Sequence, residues 1–224
     1  YEAAWAKYEP LPQTPEEANL WEQFVPAWQA WRDENNKVLD LFSQFDRLGI
    51  PDPLDTARRL EGFIKDHYVV SENVLRMIQT KKSFEGGEDH VTCNFGRWLT
   101  TFTTDSDTVK KTIQAMDAPH RRFHDSVRRI KQLVADGETD EAMDVYAKEM
   151  SPAAEQTFEK FDELFAAAEN AANVRGEAVV RLLGPATERQ REANALLDQI
   201  IELNGVTAHE EVASATSMAT LAEY

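Results

Sequence analysis

The chain has 224 residues, 42% of them apolar and 29% charged, a soluble globular composition with enough length for one large domain or two small ones. Nine Gly and nine Pro are too few for an all-β chain that turns every ten residues, so the composition leans helical. A net charge of −16 repels phosphate backbones and anionic headgroups, and the longest basic runs, Arg121-Arg122 and Arg128-Arg129-Ile130-Lys131, are too small to reverse that field.

The chain opens mid-pattern at Tyr1 and reads as a piece of a longer protein whose membrane spans lie outside it. A first helical stretch, Tyr1 to Tyr8, stops at Glu9-Pro10-Leu11-Pro12. Thr14 as cap, Pro15 in the first turn and the acidic pair Glu16 and Glu17 then start a long helix. Trp21, Phe24, Trp28, Trp31, Asn35, Val38, Phe42 and Phe45 recur on it at steps of three and four, the seam of a bundle helix that Pro26 should kink or open locally.

After Gly49-Ile50-Pro51-Asp52-Pro53 a second helix aligns Leu60, Ile64, His67, Val70, Val74 and Ile78. A shorter piece from about Glu88 to Phe102 contains Cys93-Asn94-Phe95-Gly96-Arg97-Trp98. The third long helix begins near Asp107, aligns Ile113, Met116, His120, Phe123, Val127, Ile130 and Val134, and stops at Asp136-Gly137. A fourth starts with Thr139 or Asp140 as cap and runs to about Asn170, with a kink expected at Pro152. Gly184-Pro185 reads as another break before a last helix whose stripe runs through Leu197, Ile200, Asn204, Ala208, Val212, Ala215, Ala219 and Ala222. The expected fold is all-α, its helices carrying the stripes of packed bundles.

Five His and the single Cys93, which excludes an intramolecular disulfide, carry the soft-metal chemistry. His120 and His124 stand four apart, one turn above another on a helix face, a spacing that suits two imidazoles on one metal. His67 lies on the apolar stripe of its own helix. Each is also readable as a satisfied core histidine. Three converging imidazoles, however, are costly without a metal or carboxylates, and with a thiolate they make a closed tetrahedral set. Gly96 permits close backbone approach beside Cys93.

The segment from Leu54 to about Leu164 resembles the chemoreceptor zinc-binding domain, a four-helix module. The likeness rests on His67-Tyr68-Val69-Val70, then Cys93-Asn94-Phe95-Gly96-Arg97-Trp98-Leu99, then His120-Arg121-Arg122-Phe123-His124, with 22 residues between Val70 and Cys93 and 21 between Trp98 and His120. Gly137, Glu141-Ala142 and Ser151 agree with it, while Val70 stands where Trp is commoner. The resemblance implies one zinc on His67, Cys93, His120 and His124. It also implies sensing of zinc or of hypochlorous acid, with Cys93 as redox switch. His90 is expected beside the site and His209 in solvent.

The flanks, Tyr8-Glu9-Pro10-Leu11-Pro12 with Trp21, Trp28 and Trp31, and the last helix with Asn204, resemble the four-helix-bundle sensor domain of methyl-accepting chemotaxis proteins. Together the two resemblances imply elongated bundles, with a four-helix zinc-binding bundle over 53–168 inserted in a second one formed by 1–52 and 169–224, in an extracytoplasmic, periplasmic portion of an inner-membrane receptor, a cytoplasmic place being the alternative. They also imply a homodimer and a relay through the last helix. The alternative is a small-molecule receptor with structural zinc and a pocket at Trp21, Trp28, Trp31 and Asn35. No enzyme is expected: there is no phosphate loop, no His has Glu three residues earlier, and a closed four-donor set leaves no open metal position.

Overall fold

The computed structural model describes residues 1–222, side chains through Ala219, and is all-helical, with long helices packed on one another and no strand among the described residues. The helices are α1 (Glu2–Tyr8), α2 (Pro15–Leu48), α3 (Pro53–Thr80), α4 (Asn94–Leu99), α5 (Asp107–Asp136), α6 (Thr139–Val145), α7 (Ser151–Arg181) and α8 (Thr187–Ala222). By contacts the chain divides into two units, one of residues 1–41 with the segment from Glu177 onward, the other Phe42–Gly176.

Local chemistry accounts for most helix ends. Thr14 Oγ1 accepts from Glu17 N–H, and the Glu17 carboxylate accepts from Thr14 N–H, a reciprocal cap at the start of α2. Asp52 caps α3 through Asp55 N–H, with Pro53 in the first turn, and Ser106 caps α5 through Val109 N–H. α3 ends on Lys81 and α5 on Gly137, both in the left-handed conformation that closes a helix.

Of the prolines, Pro185 departs from the sequence expectation. α2 continues through Pro26 and α5 through Pro119. Before Pro152 and around Pro185 the backbone adopts single wide π turns, Tyr146–Met150 and Leu182–Ala186, and the helix continues. A wider turn accommodates the missing N–H and the ring without ending the helix, so Gly184-Pro185 is a bulge and not a break. α6 starts at Thr139 with no side-chain cap; neither Thr139 nor Asp140 serves as one.

In the unit made by the terminal segments, Phe24, Ala193 and Ile200 form the buried centre. Trp5, Tyr8, Leu20, Trp21, Trp28, Leu196 and Leu197 pack around it, and Arg181 bridges Glu34 at 2.8 Å. The Phe42–Gly176 unit has two cores. One joins Val74, Met77, Phe123, Val127, Ile130 and Met150; the other joins Ile50, Leu60, Phe63, Phe95, Met116, Phe161 and Leu164. His67 touches both, its ring 5.3 Å from Phe123 and 5.6 Å from Phe161. Between the two cores lie the polar groups of the site.

Candidate metal centre

Two helices and the N-cap of a third deliver four side chains to one point. α3 supplies His67, the first position before α4 supplies Cys93, and one face of α5 supplies His120 and His124. Their ligating atoms all lie within 4.8 Å of one another, and the three histidines are buried. The Nε2 atoms stand 3.1 Å (His120 to His67), 3.3 Å (His124 to His67) and 3.0 Å (His124 to His120) apart, and Cys93 Sγ is 3.5 Å from His120 Nε2. A tetrahedron with Zn–N of about 2.0–2.1 Å and Zn–S of about 2.3 Å has N···N edges of roughly 3.3–3.4 Å and N···S edges of roughly 3.6 Å. The three nitrogens and the Cys93–His120 edge lie close to that spacing, so the donor set fits zinc.

Hydrogen bonds outside the cluster decide which lone pairs face inward. His67 Nδ1 lies 2.6 Å from the Phe63 carbonyl and His124 Nδ1 lies 2.7 Å from the Gly87 carbonyl. A carbonyl only accepts, so both Nδ1 atoms carry the proton and both Nε2 atoms are bare acceptors in the neutral rings. A proton on His120 Nε2 can satisfy only one of them. A buried group of unshared lone pairs at 3.0–3.3 Å calls for a cation.

Protonation is not the remedy the site permits. Burial pushes His120 down to about 2, with the neighbouring His67, His124 and His90 adding to the effect. Burial pushes His124 down to about 4 against the raising influence of the Gly87 carbonyl, and lowers His67 as well. The rings are therefore neutral at neutral pH, the form that binds a metal. Burial raises the Cys93 thiol, while the Gly96 and Phe95 amides favour its thiolate.

Cys93 is the N-cap of α4: its Sγ accepts from Gly96 N–H at 3.1 Å and its S–H donates to the His90 carbonyl at 3.2 Å. Gly96 is required by closeness of backbone. A Cβ there would stand 2.1 Å from the His90 oxygen and 2.6 Å from that of Val91. His90 thus contributes its carbonyl, with its ring 6.1 Å from that of His120, and His209 is exposed.

The loop partner of His124 had no periodic signature. The pair Gly86-Gly87, between α3 and α4, holds Gly87 at φ +92°, and its carbonyl is what orients the ring. Positive φ at paired glycines was the available signal.

The four aromatic-seam positions are distributed otherwise. Trp21 and Trp28 line a cavity of about 300 Å³ in the terminal unit, together with Trp5, Tyr8, Phe24 and Asn204. Trp31 instead packs edge-on against Trp28, ring centroids 4.8 Å apart, and Asn35, half-buried, is not among the lining residues. The Trp28 indole N–H is buried without a hydrogen-bond partner among the described residues.

Residues 67–131 match the family model of the chemoreceptor zinc-binding domain. No curated protein and no solved structure matches the chain. The matched stretch spans all four clustered side chains, so this part of the chain is a chemoreceptor zinc-binding domain, and zinc is its cofactor. The match also corrects the expected extracytoplasmic, periplasmic placement, because these domains are cytoplasmic parts of chemoreceptors. That expectation rested on the spacing of apolar residues in the flanking helices, which any bundle helix reproduces. No described helix is long and apolar enough to cross a membrane.

Proposed function

We propose that the chain is the sensory module of a chemotaxis receptor that holds one zinc through His67, Cys93, His120 and His124, and that it is not an enzyme. The observation that carries this reading is the pair of Nε2 lone pairs of His67 and His124, 3.3 Å apart, each fixed inward by an Nδ1–H bonded to a backbone carbonyl. Zinc, when bound, supplies the positive charge that holds four donors together and keeps Cys93 as thiolate. Four protein donors close the set, which suits a structural or signalling role over a catalytic one.

The stimulus proposed is zinc itself or an oxidant of the hypochlorous acid class acting on Cys93. The step balances as thiolate plus HOCl giving sulfenic acid plus chloride: sulfur gains the hydroxyl and chlorine is reduced. Sulfur so modified is a poorer donor, and its loss frees the start of α4 from His120 on α5. A groove lined by Asp66, Asn94 and Arg97 leads to Cys93 and His124. A homodimer is proposed as the working form, since α8 exposes Val206, Val212 and Met218.

The test is metal content per chain by mass spectrometry for wild type, Cys93→Ser and His124→Ala. About one zinc in wild type and less in both variants is the expected result; equal metal in all three contradicts the assignment. Hydrogen exchange of α3 and α5 before and after oxidation tests the signalling step, and unchanged exchange contradicts it.

A second reading has its own observation. The aromatic cavity and the unpartnered Trp28 N–H suit an organic ligand carrying an acceptor, with zinc only structural. A thermal-shift screen at saturating zinc decides: a stabilising ligand whose effect is lost in Trp28→Phe supports this reading.

A further inference from the structure

The loop between α3 and α4 turns several consecutive carbonyls toward one face of α5. His124, Arg128 and Lys131 are spaced four and three apart, so their side chains share that face. His124 Nδ1 donates to the Gly87 carbonyl at 2.7 Å, and Arg128 Nη2 to the Glu88 carbonyl at 2.6 Å. Lys131 Nζ donates to the Phe84 and Gly86 carbonyls at 2.8 Å each and to the Glu88 carboxylate, and it lies 4.1 Å over the Phe84 ring. All three ammonium protons are therefore engaged, and the side chain is 15% exposed, far less than surface lysine usually is.

Convergent carbonyl oxygens repel one another unless cations lie among them. Gly86 and Gly87, at φ +81° and +92°, give the loop the conformation that aims them. Gly87 is also pressed close: a Cβ would stand 3.1 Å from Val70 Cγ1. The loop backbone has no ladder of its own to fix that carbonyl. What fixes it is the charge on either side.

We infer that Lys131 is a positioning residue of the metal centre: with Arg128 it clamps the Phe84–Glu88 loop so that the Gly87 carbonyl holds the proton on His124 Nδ1 and turns Nε2 toward the other ligands. This inference rests on the zinc reading for its effect on affinity, while its structural half concerns the protein without metal. Lys131 touches no ligand itself; it acts through the loop. Partners of metal-bound histidines typically change affinity by about 10–100-fold when lost.

The experiment uses the full chain as Lys131→Met, Lys131→Arg and, as a control, Arg129→Met, whose side chain pairs with Glu149 instead. Two quantities are read: the His124 Nδ1–H resonance in the metal-free protein by 15N-resolved NMR, and zinc affinity by chelator competition. Lys131→Met is expected to lose or broaden the resonance and weaken zinc by about 10-fold or more. Lys131→Arg keeps the charge and the fold, but its flat fork cannot meet two carbonyls and a carboxylate from one point, so smaller losses in both are expected. Arg129→Met should match wild type. A retained resonance in both Lys131 variants overturns the clamp, whatever the affinity does. A lost resonance with zinc affinity within twofold of wild type overturns the positioning role. Absence of zinc binding in wild type would defeat the zinc reading, and the resonance would still decide the clamp.

Discussion

The two units of the molecule bury side chains in opposite ways. In Phe42–Gly176 the centre is polar, with three imidazoles and a thiol; the outer nitrogens of His67 and His124 and the amide on Cys93 fix where those lone pairs point. In the unit formed by the termini the centre is a run of aromatic rings, Trp5 to Trp21 at 4.7 Å, Tyr8 to Trp21 at 4.7 Å and Phe24 to Trp28 at 6.0 Å. A buried polar cluster is tolerable only when every group has a partner, so its geometry names the occupant. Aromatic packing has no such obligation. The Trp28 N–H is an unpartnered donor there among the described residues, and it specifies only an acceptor.

Chelation of zinc should separate the units most sharply. The Phe42–Gly176 unit is expected to lose about 4 kcal/mol or more, the linkage value for free zinc at a thousandfold excess over Kd. Thermal unfolding with and without chelator checks this. An equal loss in a His67→Ala variant, which has no complete site, would break the comparison.

Truncating one ring in each unit comes next. Phe24→Ala and Phe161→Ala both empty buried volume and should cost about 3–5 kcal/mol by denaturant titration. Only Phe161→Ala, whose ring lies against His67, should also weaken zinc binding. Matching zinc affinities in the two variants would show that packing around His67 does not orient it.

Acid sharpens the contrast in the metal-free protein. The folded-state values of His120 and His124, about 2 and about 4, lie below the ordinary 6.5 that the unfolded chain retains. Between those limits the unfolded state binds more protons, so the stabilisation is complete above pH 6.5 and falls as pH drops toward 4 and beyond. Melting temperature against pH should decline over that window for wild type and less steeply for His124→Phe. Parallel curves would contradict the burial of neutral imidazoles.

Much of this was legible in the sequence, for reasons that differ by residue. His67, His120 and His124 fall on helical stripes, where a 3.6-residue period fixes the face before any contact is known. Cys93 and Gly96 were legible because a close backbone approach admits only Gly, as the 2.1 Å clearance at His90 O confirms. The Gly87 carbonyl and Lys131 were not, since a loop has no period and a lysine in a basic run reads as solvated. Pro185 misled because sequence marks the missing N–H but not the wide turn that absorbs it. Trp5 and Tyr8 entered the aromatic cluster from a short helix whose packing no seam of its own announced.

The central claim is that His67, Cys93, His120 and His124 together hold one zinc. X-ray absorption at the zinc edge, on full chain loaded with one equivalent, tests it most directly. The account predicts three nitrogen neighbours at about 2.0–2.1 Å and one sulfur at about 2.3 Å, with the sulfur lost in Cys93→Ser. A shell of oxygen and nitrogen alone in the wild type, or a sulfur shell that survives Cys93→Ser, would contradict it.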